Sequence, residues 1–305
     1  MMTDKHLVYV AGYGRSGSTL LSITLDNLPR ITSVGELAAL PKYLDTDGLH
    51  CSCNRRYTKC PFWSQVIDLL PGTTKYLQEL QAVRSILEPL GSLPFLFKSP
   101  TLIGKYIRYN KELLESIFTV ASNNILVDSS KTSYKSVWRP FLLGLMPGVK
   151  VHVIHLIRNP KNVLSSCKKG RNKSILLDSA KRPTPLRTLL ALCGWLISNA
   201  IAKYYGLSSV DLNYILVPYK KLVDDPKFEL QRVLSTFPVP IGAKEIDSNR
   251  QINENTFDVG HLVGSNRFAK NREKIQVNND DSPPKNLNKI ESMVSYIAKL
   301  ALYSP

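Results

Sequence analysis

The sequence contains no long uninterrupted apolar run. The longest candidate, 189–202, is broken by Ser198 and Asn199, whereas a membrane-spanning helix needs about 18 or more consecutive apolar residues. The segment therefore predicts a buried helix rather than a membrane span. The chain also begins with polar residues followed by an apolar strand, without the pattern of a secretory signal. From these two absences we expect a cytoplasmic protein.

Acidic residues are scarce. The chain has 24 Asp and Glu against 40 Lys and Arg, which gives a formal net charge of +16 at pH 7. This balance predicts an anionic partner, such as a phosphorylated nucleotide, an acidic acceptor, a nucleic acid or a membrane surface. The basic residues are spread along the chain, without the dense basic arm or the aromatic-basic pattern of nucleic-acid-binding proteins. We therefore expect no nucleic acid partner.

The paired Cys-x2-Cys spacing that is common in zinc sites is also missing. Three of the five cysteines are nevertheless clustered, as Cys51, Cys53 and Cys60, and His50 precedes them. In a reducing compartment an odd number of cysteines predicts thiols or metal ligands rather than a disulfide framework. Two interpretations stay open: a zinc site formed by these four residues, or thiols packed within a loop.

The order of the apolar segments predicts an α/β fold. Short β-rich runs at 6–11, 124–127, 149–157 and 212–217 are separated by segments with helical spacing. This alternation is typical of an open parallel sheet flanked by helices, in which ligands bind outside the carboxyl ends of the strands. We expect a single P-loop-like domain over 1–305 with a loop-rich and helical insertion at 46–123. The main helices are expected at 75–90, 101–121, 136–145, 186–206, 226–237 and 285–302.

A glycine loop follows the first of these strands. Gly12 and Gly17 have the spacing of the P-loop pattern Gly-x4-Gly-Lys-Ser/Thr, and Thr19 fits its last position. Ser18 replaces the lysine, whereas Arg15 places a cation inside the loop. Such a loop lets backbone N–H groups surround one anion, and the next helix presents its unsatisfied N-terminal donors. The loop predicts a phosphate site; the alternative is a turn that simply joins strand to helix.

The strand at 149–157 does not end in an acidic residue. Kinases and NTPases hold magnesium with an acid at the end of a neighbouring strand, but this strand ends in Arg158. A cation there repels magnesium and suits a second phosphate, of which an arginine can bind two oxygens. The pattern favours a metal-free donor with two phosphate sites. The alternative for Arg158 is an ordinary surface arginine that precedes a helix.

These segments resemble motifs of the sulfotransferase family, in its branch of tyrosylprotein, carbohydrate and bacterial sulfotransferases. Segment 14–21, GRSGSTLL, resembles the family's 5′-phosphosulfate loop. Segment 155–166, HLIRNPKNVLSS, resembles its 3′-phosphate motif, in which an arginine and a serine eight residues later hold that phosphate. The resemblance implies transfer of a sulfuryl group from 3′-phosphoadenosine 5′-phosphosulfate to an acceptor hydroxyl, with no metal required. It implies that the nucleotide is bound by Gly14, Arg15, Ser16, Gly17, Ser18, Thr19, Arg158 and Ser166.

The resemblance also implies roles for four more residues. Glu36, 21 residues after Arg15 in a Gly-Glu element, matches the catalytic base of the tyrosylprotein branch, and Lys131 matches a lysine that contacts the transferred group. Arg15 would act with these two in catalysis. Tyr219, in Tyr-Lys-Lys-Leu-Val, matches a tyrosine that approaches the nucleotide, and Arg267 matches a late arginine near the 3′-phosphate. The plainer alternatives are a solvated glutamate, a solvated lysine and a core tyrosine.

Two other functions stay open at this point: a P-loop kinase of a small molecule, and a non-enzymatic protein that binds polyanions. The missing loop lysine and strand-end acid count against the kinase. A polyanion-binding protein should bind with steep salt dependence and without preference for a 3′-phosphate. The resemblance covers 6–45 and 124–270, so we expect acceptor specificity to lie in 46–123. The acceptor (a sugar, a glycolipid, a phenol, a peptide tyrosine or a small metabolite) and the oligomeric state stay open.

Overall fold

A five-stranded, all-parallel sheet forms the centre of the fold. The structure is a computed structural model that describes 4–46, 49–92, 99–133, 135–169, 185–207, 212–237, 241–249 and 256–264, with residues 252, 254, 275, 276 and 296. The strand order is β2-β3-β1-β4-β5. The strands are β1 (Lys5–Ala11), β2 (Ile31–Gly35), β3 (Ile125–Asp128), β4 (Val149–Ile157) and β5 (Asn213–Pro218).

Helices connect these strands and cover both faces of the sheet. Alternate residues of β1 contribute to two separate apolar cores, Leu7 and Tyr9 to one and Val8 and Val10 to the other, as expected for a strand that is buried on both sides. The helices are α1 (Ser18–Asp26), α2 (Leu40–Asp45), α3 (Trp63–Asp68), α4 (Thr73–Leu87), α5 (Pro100–Ala121), α6 (Arg139–Gly144), α7 (Pro160–Lys169), α8 (Pro185–Leu207), α9 (Tyr219–Asp224), α10 (Pro226–Thr236) and α11 (Ala243–Asp247).

The strand order creates a crevice between the ends of β1 and β4. From β1 the chain passes through α1 to β2 on one side, whereas from β4 it passes through α7 and α8 to β5 on the other side. Where neighbouring strands send their connections in opposite directions, the loops separate and leave room for a ligand. The glycine loop after β1 and Arg158 after β4 both lie at this switch point.

The predicted α/β class and parallel sheet are confirmed. The helix at 186–206 is present as α8, but it is only half buried, because Trp195 is buried in its middle whereas Leu189 and Leu190 are 45% and 41% exposed. The strand β2 was not predicted. The helix predicted at 285–302 lies outside the described residues.

Among the described helices, none combines the length and the apolar character that crossing a membrane requires.

Candidate active site

The two segments predicted to bind phosphates meet at the carboxyl edge of the sheet. Arg15 Nε donates a hydrogen bond of 3.0 Å to Ser166 Oγ, and Arg15 Nη2 donates one of 3.4 Å to the Ser166 carbonyl. In return, Arg158 Nη1 donates to the Arg15 carbonyl at 3.3 Å. Two guanidinium groups and the hydroxyl of Ser166 on α7 therefore occupy one region, next to the loop after β1.

The glycine loop is clamped between β4 and the segment that follows β3. Gly12 has φ of 116°, and a Cβ atom on it would lie 2.4 Å from the Leu156 carbonyl oxygen. Gly12 N donates to Thr132 Oγ1 at 3.0 Å, and Thr132 N donates to the Gly12 carbonyl at 3.2 Å. Because a side chain at this position would meet backbone, the sequence needs glycine to bring the loop across the strand ends.

Ser16 is buried inside this loop without a hydrogen-bond partner. Its side chain is 1% exposed, and its Oγ contacts no donor or acceptor within the described part of the chain. An unsatisfied buried hydroxyl costs about 1–3 kcal/mol, and an anion in the loop would remove that cost. The helix α1 begins at Ser18, directly after Gly17 in a left-handed conformation, so its first N–H groups are directed toward the same loop. The loop thus fits a phosphate group.

Tyr219 connects the two phosphate segments. It begins α9 directly after β5, and the Arg158 guanidinium lies 4.2 Å from the centre of its ring. A Cβ atom on Gly17 would lie 2.3 Å from the same ring. The backbone of Arg158 is fixed from the other side by Trp195, whose Nε1 donates to the Arg158 carbonyl at 3.1 Å. Tyr219 therefore packs against the loop and positions the Arg158 side chain.

Glu36 and Lys131 form an ion pair at the neighbouring strand ends. Lys131 Nζ donates a short hydrogen bond to Glu36 Oε1, and the side chains are 15% and 37% exposed, respectively. Glu36 follows β2, Lys131 follows β3, and these two strands are paired. Lys131 has a φ of 68°, and its carbonyl accepts a 2.5 Å hydrogen bond from Tyr9 OH. The pair is thus held by backbone and remains accessible to a ligand.

A late segment of the chain supports Glu36. Glu36 N donates to the Val263 carbonyl at 2.9 Å, and Val263 N donates to the Val34 carbonyl at 2.9 Å. A Cβ atom on Gly264 would lie 3.1 Å from the Glu36 carboxyl carbon. The segment 258–264 therefore extends the edge of β2 and packs directly on the side chain of the expected base.

Asp128 lies beneath Glu36 and Lys131 and is completely buried. Its Oδ1 accepts from Leu37 N at 3.3 Å and from Ser130 N at 2.9 Å, and its Oδ2 accepts from Arg139 Nη2 at 2.9 Å. It thereby holds the residue after Glu36 and the residue before Lys131. Asp128 is an acid at the end of the strand next to β1, where a kinase would place its magnesium ligand, but both of its oxygens are already bound by donors.

The buried charges around Asp128 balance one another. Arg139 Nη1 also donates to Glu88 Oε1 at 2.7 Å. Burial disfavours the charged guanidinium, but the Glu88 and Asp128 carboxylates outweigh this effect and hold the pKa of Arg139 well above its usual value. Burial, followed in effect by the charge of Arg139, lowers the pKa of Arg84 to about 10. The two carboxylates and Arg139 thus form a buried ionic network that links the insertion to the sheet.

We expect Asp128→Asn to destabilise the fold by about 3 kcal/mol, because it leaves part of the buried Arg139 charge uncompensated. Urea unfolding of the two proteins measures this difference. Asp224→Asn is a matched control, because Asp224 forms an exposed ion pair with Lys220 and its loss should cost at most about 1 kcal/mol. Equal effects of the two substitutions would contradict a structural role for the network.

The family comparison agrees with this geometry. Residues 8–242, more than half of the chain, match the model described as the sulfotransferase family. The chain belongs to the sulfotransferase family. It is an enzyme of a family whose sulfuryl donor is 3′-phosphoadenosine 5′-phosphosulfate. The predicted family and the predicted sulfotransferase activity are thereby confirmed. No curated protein matches the chain by sequence.

Solved structures of sulfotransferases share the fold. A sulfotransferase domain from the curacin biosynthetic pathway is 19% identical, with a TM-score of 0.50, covering 99% of this chain and 99% of that domain. A sulfotransferase from Mycobacterium avium is 15% identical, with a TM-score of 0.50, covering 98% of this chain and 77% of its own. These similarities concern the fold of the sulfotransferase and do not bear on its acceptor.

The structure places most of the expected site residues together. The residues at 14–19, Arg158, Ser166 and Tyr219 surround the crevice between β1 and β4, and Glu36 and Lys131 lie at the adjoining strand ends. Arg267 lies outside the described residues, so its expected role stays a prediction.

The alternative metal site needs one correction. His50 does not belong to the group formed by Cys51, Cys53 and Cys60; within the described part of the chain, the histidine that converges with these thiols is His261. His50 instead pairs with Arg56 in an antiparallel bridge, because the two residues flank the turn that carries the first two cysteines. A histidine 201 residues after Cys60 could not be paired with it from sequence spacing.

Proposed function

We propose that this sulfotransferase transfers the sulfuryl group to a hydroxyl of its acceptor, with the nucleotide bound across the crevice between β1 and β4. The observation that supports this proposal best is the contact between the two phosphate segments, in which Arg15 bonds to Ser166 and Arg158 bonds to Arg15. A donor with phosphates at both its 5′ and 3′ positions needs two anion sites that face one molecule. Contact between the segments meets that requirement.

In this proposal the nucleotide is held by backbone and cations. The N–H groups of the glycine loop and the Ser16 hydroxyl bind the 5′-phosphate, aided by the start of α1. Arg158 binds the 3′-phosphate with Ser166, and Tyr219 keeps the guanidinium in place. Arg15 lies between the two sites and contributes charge to both. These cations supply the charge that magnesium supplies in kinases.

The transfer step uses the pair formed by Glu36 and Lys131. Glu36 accepts the proton of the acceptor hydroxyl while that oxygen forms its bond to sulfur. The bond between sulfur and the bridging phosphate oxygen breaks, and the departing phosphate takes its electron pair. Lys131 and Arg15 stabilise the negative charge on the sulfuryl and bridging oxygens. Most of the acceleration then comes from positioning and charge, as in phosphoryl transfer.

We assign acceptor specificity to the insertion at 46–123. Its helix α4 contacts the segment that follows the expected base, because Arg84 Nη1 donates to the Leu37 carbonyl at 3.4 Å. Glu88, one turn later, accepts from Trp138 N at 3.0 Å through its carbonyl. The insertion therefore contacts the residue after Glu36 and the segment that runs from Lys131 to α6. Sugars, glycolipids, phenols, peptide tyrosines and small metabolites are the acceptor classes to screen with labelled donor.

Ligand-dependent thermal stability tests the nucleotide site. At 100 times its Kd, adenosine 3′,5′-bisphosphate should stabilise the fold by about 2.7 kcal/mol, which corresponds to a rise in Tm of about 4 °C for a chain of 305 residues. ADP at the same concentration should give a smaller rise. Sulfuryl transfer should also proceed without added magnesium and during brief exposure to EDTA. Equal stabilisation by the two nucleotides, or a strict requirement for magnesium and ATP, would favour the kinase instead.

A further inference from the structure

Three thiols and one imidazole converge outside the strand-end site. Cys60 Sγ lies 3.3 Å from His261 Nδ1 and 3.6 Å from Cys53 Sγ, and Cys51 Sγ lies 3.9 Å from His261 Nδ1. All four atoms lie within 4.8 Å of one another. Cys51 and Cys60 are completely buried, and Cys53 and His261 are partly buried. We call these four residues the Cys3His cluster.

Three of the six distances within the cluster match the edges of a tetrahedron around one metal ion. Zn–S bonds of about 2.3 Å and Zn–N bonds of about 2.0 Å give tetrahedral edges of about 3.8 Å between two sulfurs and about 3.5 Å between sulfur and nitrogen. The distances of 3.3 and 3.9 Å between sulfur and nitrogen and of 3.6 Å between two sulfurs lie close to these edges. They do not fit a disulfide, whose sulfur atoms lie about 2.0 Å apart, and all three cysteines are free thiols.

Two short pieces of the insertion present the thiols. Cys51 N donates to the Arg55 carbonyl at 2.9 Å, and Asn54 N donates to the Cys51 carbonyl at 2.9 Å. Asn54 has a φ of 64°, which closes a tight turn with Cys51 and Cys53 on its inner side. Cys60 follows just before α3, where Ser64 N donates to its carbonyl at 2.9 Å. The backbone of these two pieces therefore directs the thiols to one point.

The fourth member is fixed by aromatic and backbone contacts. The His261 ring stacks on Phe62 with 5.6 Å between ring centres and 3° between planes. Trp63 Nε1 donates to the His261 carbonyl at 2.8 Å. Leu262, which follows His261, forms two hydrogen bonds with Ser52. Its N–H donates to Ser52 Oγ at 2.7 Å, and its carbonyl accepts from Ser52 N at 3.3 Å. The ring is thereby oriented with Nδ1 toward the thiols.

We propose that the Cys3His cluster is a structural zinc site. Sulfur and imidazole ligands select zinc over magnesium or calcium, and four protein ligands leave no open position for a substrate or a water molecule. The ion would therefore stabilise the fold and take no part in sulfuryl transfer. This agrees with a transfer reaction that requires no added metal.

The site would connect the insertion to the segment that supports Glu36. Cys51, Cys53 and Cys60 belong to the insertion, whereas His261 belongs to the segment 258–264, whose Val263 carbonyl accepts from Glu36 N. A single residue, Leu262, therefore separates a zinc ligand from the backbone contact of the expected base. Loss of the ion would remove one connection between that segment and the insertion and leave the hydrogen bonds of Ser52 and Trp63 to hold the segment that supports Glu36.

Metal analysis of the full chain tests the proposal. With any affinity tag removed and no chelator in the buffers, inductively coupled plasma mass spectrometry should find about one zinc per chain in the wild type. Cys193→Ser, which changes an exposed cysteine outside the cluster, should keep that content. Cys60→Ser should reduce it at least about tenfold. Cobalt bound in place of zinc should show the thiolate charge-transfer and d–d absorption bands of a tetrahedral site in the wild type and not in Cys60→Ser.

The wild-type measurements do not depend on whether a variant folds. Less than about 0.1 zinc per chain after incubation with equimolar zinc would overturn the proposal, and so would another metal in its place or a disulfide between Cys53 and Cys60 in protein kept under reducing conditions. Zinc content is measured without an acceptor, so its presence in a chain without transferase activity would contradict the proposed acceptor chemistry and leave the zinc site standing.

Discussion

Glu36→Gln is expected to reduce turnover by about 10²–10⁴-fold, the usual contribution of a general base, while adenosine 3′,5′-bisphosphate binds as tightly as before. Glutamine has nearly the shape of glutamate and can still accept a hydrogen bond from Lys131, but it cannot take the proton of the acceptor hydroxyl. Glu36 follows β2, whereas the residues proposed to bind the two phosphates follow β1 and β4, so nucleotide affinity should not change. The ion pair is partly exposed, so its loss should cost at most about 1 kcal/mol of stability.

Steady-state transfer with labelled donor and direct titration with the bisphosphate measure the two quantities separately. Glu115→Gln is a matched control, because Glu115 lies in the last part of α5. That helix ends at Ala121, just before β3 begins, so its last part lies toward the amino ends of the strands, whereas the site lies at their carboxyl ends. It should retain wild-type turnover. If Glu36→Gln also turns over at the wild-type rate, Glu36 is not the base. If turnover and nucleotide binding fall together, the substitution has disturbed the loop instead.

The core strands could be predicted because their sequences carry the signal locally. The predicted 149–157 coincides with β4, and the predictions for β1, β3 and β5 differ from the structure by one residue at one or both ends. Each is a short β-rich run that ends in polar residues. The edge strand β2 was missed because its five residues, ITSVG, include two hydroxyl side chains and a glycine. Its pairing with β3 and with Val263, rather than its own composition, makes it a strand.

The residues expected to bind the phosphates could also be predicted from local sequence patterns. The loop at 12–19 and the segment from Arg158 to Ser166 each have a recognisable spacing, and a parallel sheet brings the carboxyl ends of its strands to one edge. Their mutual contact follows from the strand order, in which β1 and β4 are neighbours. Sequence spacing could not give that order, because it depends on how the connections cross the sheet.

The parts that sequence analysis missed depend on contacts between distant residues. Asp128 directly follows the strand predicted at 124–127, but its partner Arg139 lies 11 residues later, and Glu88, the other carboxylate that Arg139 binds, lies 51 residues before Arg139. His261 meets Cys60 across 201 residues. Neither set of contacts joins residues at the regular spacing of a helix or a strand, so neither leaves a pattern in the sequence. Both lie beside Glu36, where the insertion, the sheet and the late segment come together.

Arg158→Ala is expected to weaken binding of adenosine 3′,5′-bisphosphate by about 100-fold or more, since two charge-assisted hydrogen bonds contribute about 1.5–3 kcal/mol each. Binding of adenosine 5′-monophosphate should change by less than about 3-fold, because it lacks the 3′-phosphate that the guanidinium would bind. Calorimetric titration of both nucleotides at one fixed salt concentration measures the difference. Arg158→Lys should lie between, because lysine keeps the charge but loses the forked geometry.

Arg158 also contacts Tyr219 and the Arg15 carbonyl, so its removal can disturb the glycine loop as well as the 3′ site. The two nucleotides separate these effects, because a disturbed loop weakens both, whereas loss of a 3′-phosphate ligand weakens the bisphosphate alone. Arg108→Ala removes one positive charge from the insertion, where the guanidinium stacks on Tyr109, and it should leave both affinities unchanged because salt screens distant charges. Equal losses for both nucleotides in Arg158→Ala would assign Arg158 to loop support rather than to recognition of the 3′-phosphate.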